Sequence, residues 1–178
     1  MIAKSNPNQK IILVDCDLRR SNVASALGAK SIGGTIDEYL SGAKPLEQVI
    51  YRDEESGVHI IPARRDTPNA AEILGSQSMR RLVEALGETY DLVILDTPPL
   101  MAVADARLVA ELADYIVFLV RWERTSRELA INSVKLLERH RNVGVVLSQV
   151  DVRRHARYGT GDYGYYYSHY KYGHYYTE

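Results

Sequence analysis

Two unbroken apolar runs, Ile11-Ile12-Leu13-Val14 and Leu92-Val93-Ile94-Leu95, each stop at an acid, Asp15 and Asp96. A strand with one face in water alternates apolar and polar residues, whereas an unbroken run suits a strand covered on both faces. Tyr115 to Val120 and Val143 to Leu147 are two further runs, and Val58 to Ile61 is a shorter one stopping at Pro62. Helical spacing fills the intervals. Thr35-Ile36-Asp37-Glu38 has the form of a capping box and predicts a short helix through Leu40, ended by Gly42. Ser78 to Leu86 carries Met79, Leu82, Val83 and Leu86 on one face, with Gly87 as the stop. Val103 to Leu112 reads likewise, and Thr125-Ser126-Arg127-Glu128 forms a second capping box before Leu129, Val134, Leu136 and Leu137. Strands alternating with helices imply right-handed βαβ units. The expected fold class is α/β, a doubly wound parallel sheet with helices on both faces.

The composition changes after Asp151. A basic stretch, Arg153, Arg154, His155 and Arg157, leads into a segment of Tyr, Gly and His with no aliphatic residue after Ala156. Such a segment cannot build a core, so residues 1–150 are read as the α/β domain and 151–178 as a flexible tail. The chain has 13 tyrosines against one Phe and one Trp. Core packing does not demand that ratio, and the tail holds Tyr158, Tyr163, Tyr165, Tyr166, Tyr167, Tyr170, Tyr172, Tyr175 and Tyr176.

Other function classes lose ground on charge and hydropathy. A net charge of -1 gives no general attraction to nucleic acid. No apolar run approaches the roughly 20 residues of a membrane helix, and Met1 to Lys10 is too polar for a signal peptide. A membrane link therefore has to come from a partner or from other sequence. The single cysteine, Cys16, excludes an intrachain disulfide and fits a reducing cytosol.

In open α/β sheets ligands bind outside the carboxyl ends of the strands. Asp15, Asp17 and Asp96 arrive at that edge. Asp15 and Asp17, two apart, face the same way in an extended segment. Converging carboxylates repel unless a cation neutralises them, and hard oxygen ligands suit Mg2+ carrying a phosphate. A strand ending in Asp is also common as a turn or helix cap, so the repetition carries the signal. After Asp96, Thr97-Pro98-Pro99 stops the strand and stiffens the loop.

These segments resemble the bacterial tyrosine autokinases (BY-kinases), the cytoplasmic kinase domains of exopolysaccharide and capsule biosynthesis proteins. Ile11 to Arg20, IILVDCDLRR, resembles their Walker A′ motif, and Leu92 to Pro99, LVILDTPP, their Walker B. Ile60 to Met79 is similar to the segment between the two, and the tyrosine-rich end looks like their autophosphorylation cluster. The resemblance implies a P-loop NTPase-like fold related to Mrp, MinD and ParA. It implies Mg-ATP as cofactor and transfer of the γ-phosphate to tail tyrosines. By the same resemblance Asp15 is the general base, Asp17 and Asp96 hold Mg2+, and the nine tail tyrosines are the phosphoacceptors. It further implies a ring-shaped homo-oligomer activated by a membrane-spanning polysaccharide co-polymerase, at the inner face of the plasma membrane, with no nucleic-acid partner.

One family motif is missing from these 178 residues: G-x-x-x-x-G-K-[ST], the Walker A loop that cradles phosphates. In the family it lies upstream of Walker A′, and Met1-Ile2-Ala3-Lys4 looks like the end of the helix that follows it. The sheet is thus expected to lack its central strand and to carry open edges, and the lone chain to be a poor kinase. Two other functions stay open: a MinD/ParA-type ATPase switch, which hydrolyses ATP without making phosphotyrosine, and a non-catalytic phosphoacceptor or assembly subunit. Relatives often carry Leu-Asn where this chain has Leu147-Ser148, near the nucleotide base. Arg19 and Arg20 are candidates for contact with phosphate or a neighbouring subunit, with plain surface arginines as the alternative. Asp105 and Asp114 are read as helix-end residues, and Cys16 as structural.

Overall fold

The computed structural model describes residue 6, residues 8–28 and residues 33–151. The tyrosine-rich tail lies outside the described residues. The chain divides into two compact units, Met1–Ile116 and Val117–Glu178.

The first unit is built around β1 (Ile11–Asp15). Its apolar run is covered on both faces, with Ile12 and Val14 fully buried. The sheet order is β2-β3-β1-β4, where β2 is Tyr51–Arg52, β3 His59–Ile61 and β4 Leu92–Asp96. β1 runs parallel to β3 and to β4, in a register that sets Ile11 against Leu92 and Asp15 against Asp96. The sheet is mixed rather than all-parallel, because β2 pairs antiparallel to β3. A tight turn makes that possible. Asp53 accepts from the Ser56 N–H at 2.8 Å, and Gly57 takes φ +74°, a conformation favouring glycine. The second edge of β4 pairs with no strand among the described residues.

Five α-helices complete this unit among the described residues: α1 (Val23–Ala26), α2 (Ile36–Leu40), α3 (Ala70–Leu74), α4 (Gln77–Thr89) and α5 (Asp105–Ala110). The Glu38 carboxylate accepts from the Thr35 N–H at 3.0 Å, as the capping-box reading requires. Gly42 (φ +78°) follows α2 and turns the chain. α4 buries Met79, Leu82 and Leu86, its helical stripe, against a core that includes Ile12, Val14, Ile61 and Leu74. It passes through Gly87, which the sequence marked as the stop, and ends at Thr89. A glycine inside a helix costs only about 1 kcal/mol, and the Tyr90 N–H still bonds to the Leu86 carbonyl at 2.9 Å. At the other end the Ser76 hydroxyl accepts from the Met79 N–H at 3.1 Å. Ser76→Ala is expected to lower stability by about 1 kcal/mol, read from urea unfolding. A change under about 0.3 kcal/mol would show that the cap contributes little.

In the second unit, β5 (Ile116–Arg121, starting at the unit boundary) and β6 (Val143–Ser148) form a two-stranded sheet accompanied by α6 (Arg127–Lys135). Ser126, not Thr125, caps α6, accepting from the Leu129 N–H at 3.1 Å. The Thr125 hydroxyl instead accepts from the Arg121 N–H at 3.2 Å, closing the preceding turn. The apolar runs of β5 and β6 read as doubly covered strands, but Val117, Leu119, Val145, Val146 and Leu147 are exposed. Two strands and one nine-residue helix supply too little structure to cover both faces.

Candidate active site

The parallel register of β1 and β4 brings Asp15 and Asp96 side by side at the carboxyl edge of the sheet. The Cys16 N–H continues the ladder one step further, donating to the Asp96 carbonyl at 2.7 Å. β1 ends at Asp15, and a turn follows from Leu18.

Asp15 is fully buried. Its Oδ1 accepts from the Asp17 N–H at 3.0 Å, and its Oδ2 from the Ser21 hydroxyl at 2.7 Å and the Val23 N–H at 3.4 Å. Burial raises its pKa above the ordinary carboxylate range, against the opposing pull of these hydrogen bonds. Ser21 carried no signal in the sequence, because a serine six residues after an acid is unremarkable until the turn folds back.

Asp17 is half-buried. Its Oδ1 accepts from the backbone N–H groups of Arg19 at 3.2 Å and Arg20 at 2.9 Å. Its Oδ2 has no hydrogen-bond donor among the described residues. Asp96 is exposed at the strand end, yet its carboxyl lies above the usual range. Desolvation by the surrounding protein is the main cause, and the charges of Asp15 and Asp17 add to it. Asp96 therefore senses both other acids.

Among the described residues, no three His, Cys, Asp or Glu side chains form a closed metal cage. Mg2+ does not need one, since it keeps several waters and takes one or two carboxylates plus phosphate oxygens. A free Asp17 oxygen and an exposed Asp96, both hard donors in a negative field, fit that chemistry.

Arg19 lies two residues beyond Asp17, and its guanidinium crosses to the start of α5. Nε donates to Asp105 Oδ2 at 2.7 Å and Nη2 to Oδ1 at 3.2 Å. The Asp105 side chain is 1% exposed. The sequence assigned Asp105 to a helix end. It does open α5, but its carboxylate serves Arg19.

Cys16 is fully buried, and burial, then the charges of Asp15 and Asp96, pushes its thiol far above its ordinary value. It is inert packing. Ser148, at the position expected near a base, directs its hydroxyl to the Val120 carbonyl of its own unit at 3.4 Å. Tyr158 to Tyr176 lie outside the described residues.

Residues 2–145 match the family described as AAA domain. The tyrosine-protein kinase Etk of Escherichia coli is 33% identical over 160 residues, 89% of this chain and 22% of Etk. The tyrosine-protein kinase YwqD of Bacillus subtilis is 29% identical over 153 residues, 85% of this chain and 64% of YwqD. The chain thus spans about a fifth of Etk and under two thirds of YwqD. Among solved structures, the kinase domain of E. coli ETK superposes with a TM-score of 0.75 at 31% identity, covering 84% of this chain and 60% of that one. The VpsO kinase domain gives 0.76 at 28% identity, covering 83% and 74%. MinD of Pyrococcus horikoshii gives 0.67 at 18% identity over 84% and 63%, a likeness of fold alone. The fold is that of the P-loop NTPases of this group.

Proposed function

Because the chain belongs to the AAA domain family and has bacterial tyrosine-protein kinases as its relatives there, we propose that it is an ATP-dependent protein-tyrosine kinase domain of a polysaccharide synthesis or export system. It passes the γ-phosphate of ATP to tyrosines, chiefly on its own tail. The observation that supports this most is the pairing of Asp15 with Asp96 in adjacent parallel strands, with Asp17 beside them offering a free oxygen.

In this reading Asp17 and Asp96 hold Mg2+, which when bound neutralises phosphate charge. Asp15 shapes the turn that presents Asp17. It is also the base that assists loss of the tyrosine proton, once its bonds to Ser21 and Val23 open. A tyrosine hydroxyl has a pKa of about 10, so such help matters at neutral pH. Carrying the acceptor tyrosines Tyr158 to Tyr176 on a tail raises their local concentration at the site of a neighbouring copy. A membrane-spanning polysaccharide co-polymerase region recruits the domain to the inner face of the membrane, and several copies assemble in a ring. No helix among the described residues is long and apolar enough to cross a membrane.

Mass spectrometry of the tail after incubation with Mg-ATP tests the proposal, with released phosphate measured in parallel. Phosphotyrosine formed by the protein alone supports the kinase. Phosphotyrosine formed only when E. coli Etk is added supports an acceptor subunit instead. Phosphate release without phosphotyrosine supports an ATPase switch. Either of the last two results overturns the proposed activity.

A further inference from the structure

The pair Arg19–Asp105 has no part in the chemistry above, yet it is an expensive feature. Asp105 is a carboxylate removed from water, and such a group needs both oxygens satisfied. Arg19 satisfies both through a two-pronged fork across 86 residues of sequence. A helix start needs no buried acid, since an exposed Ser or Asp would cap it. Arg19 itself is half-exposed, so the desolvation falls on Asp105, and as a device for stability alone a buried carboxylate is a poor choice because an apolar side chain of similar size usually serves as well.

Its location suggests a different use. The turn after β1 carries Asp17, whose Oδ1 is fixed by the backbone N–H groups of residues 19 and 20. The Arg19 and Leu18 carbonyls accept from Asp66 at 3.3 Å and Thr67 at 2.9 Å, so backbone bonds hold the turn on the side of residues 66 and 67. The Arg19 side chain holds it on the other side, to the helix that follows Asp96. The segments bearing the two acids are thereby tied to each other beyond the sheet.

We propose that Arg19 and Asp105 are positioning residues that set the free oxygen of Asp17 against Asp96 for a divalent cation. The inference rests on the reading that these two acids hold the ion, and the test separates the two claims. The probe is Mn2+ alone, its binding to the whole chain followed by electron paramagnetic resonance and water proton relaxation, with melting temperature measured alongside. Two variants are used. Arg19→Lys keeps the charge but cannot form the fork. The double variant Arg19→Met/Asp105→Leu removes the buried charge entirely. Leu74→Ala, in the core, serves as a control for lost stability.

The expected result is a loss of Mn2+ affinity of roughly 10-fold in both variants, as is typical when groups supporting a metal ligand are removed. The double variant should keep its melting temperature. Mn2+ affinity within twofold of the parent overturns the positioning role, while the cation reading survives if Asp17→Asn still weakens binding. Affinity that falls only in step with melting temperature, as in Leu74→Ala, marks a structural tie and overturns it as well. If neither Asp17→Asn nor Asp96→Asn changes Mn2+ binding, the cation reading fails and the positioning role fails with it.

Discussion

Asp96→Asn and Asp17→Asn are each expected to lower tail phosphorylation roughly 100-fold or more, since a metal's stabilisation of phosphoryl charge is worth several kcal/mol. Neither change should unfold the protein. Asp96 stands at a solvent-facing strand end, and Asn keeps its shape while removing a carboxyl whose pKa is raised by desolvation and, after that, by the charges of Asp15 and Asp17. A carboxyl with a raised folded pKa contributes stability below its unfolded pKa and loses that contribution as pH rises through the folded value. Ionised Asp96 is thus a burden at pH 7. Asp96→Asn should melt at the same temperature as the parent or higher at pH 7, and the difference should shrink as the pH falls toward about 4. Activity lost together with a lower melting temperature at pH 7 would mean that the acid supports the fold. Activity retained would remove Asp96 from the site.

The largest stability effect is expected inside the first unit. Leu82 is fully buried on α4, in the core with Ile12 and Ile61. Leu82→Ala removes its branched end and leaves a cavity, at a cost of about 2–5 kcal/mol. That is a large share of the roughly 5–15 kcal/mol that holds a typical domain together. Leu119→Ala, on the exposed strand β5, should stay within about 0.5 kcal/mol. Urea unfolding followed by far-ultraviolet circular dichroism measures both. Equal effects at the two positions would contradict the division between a packed first unit and an open two-stranded sheet.

What could be read from the sequence was mostly local or strongly patterned. β1 and β4 were visible because continuous apolar runs stop at acids, and the Thr35–Glu38 capping box needs only four residues. β2 escaped because two residues carry no periodicity. The cap of α6 was misplaced by one residue because Thr125 and Ser126 are both suitable hydroxyls, and only the turn at Arg121 decides between them. Burial of β5 and β6 was overestimated because an apolar run records a preference for cover and does not supply it. The places of Asp15 and Asp96 at the ends of β1 and β4 were legible from the apolar runs that stop there. The internal bonding of Asp15 and the reach of Arg19 to Asp105 were not, since both depend on how a turn folds back and on the register between strands far apart in sequence. An Asp-x-Asp-x-Arg motif followed by an acid flanked by Ala104 and Ala106 was the one available clue to the second.

The central place of β1 has a consequence for biosynthesis. Its neighbour β4 lies about 80 residues later in the chain. At roughly 5–20 residues per second, a ribosome takes on the order of 4–16 s to deliver it. β3 arrives sooner and can shield only one edge of β1. For several seconds the nascent chain therefore presents Ile11-Ile12-Leu13-Val14 with its other edge bare, a short apolar segment of the kind that chaperones shield and that sticks to other unfinished chains. Slowed translation between residues 61 and 92 should lengthen that exposure and lower the soluble yield.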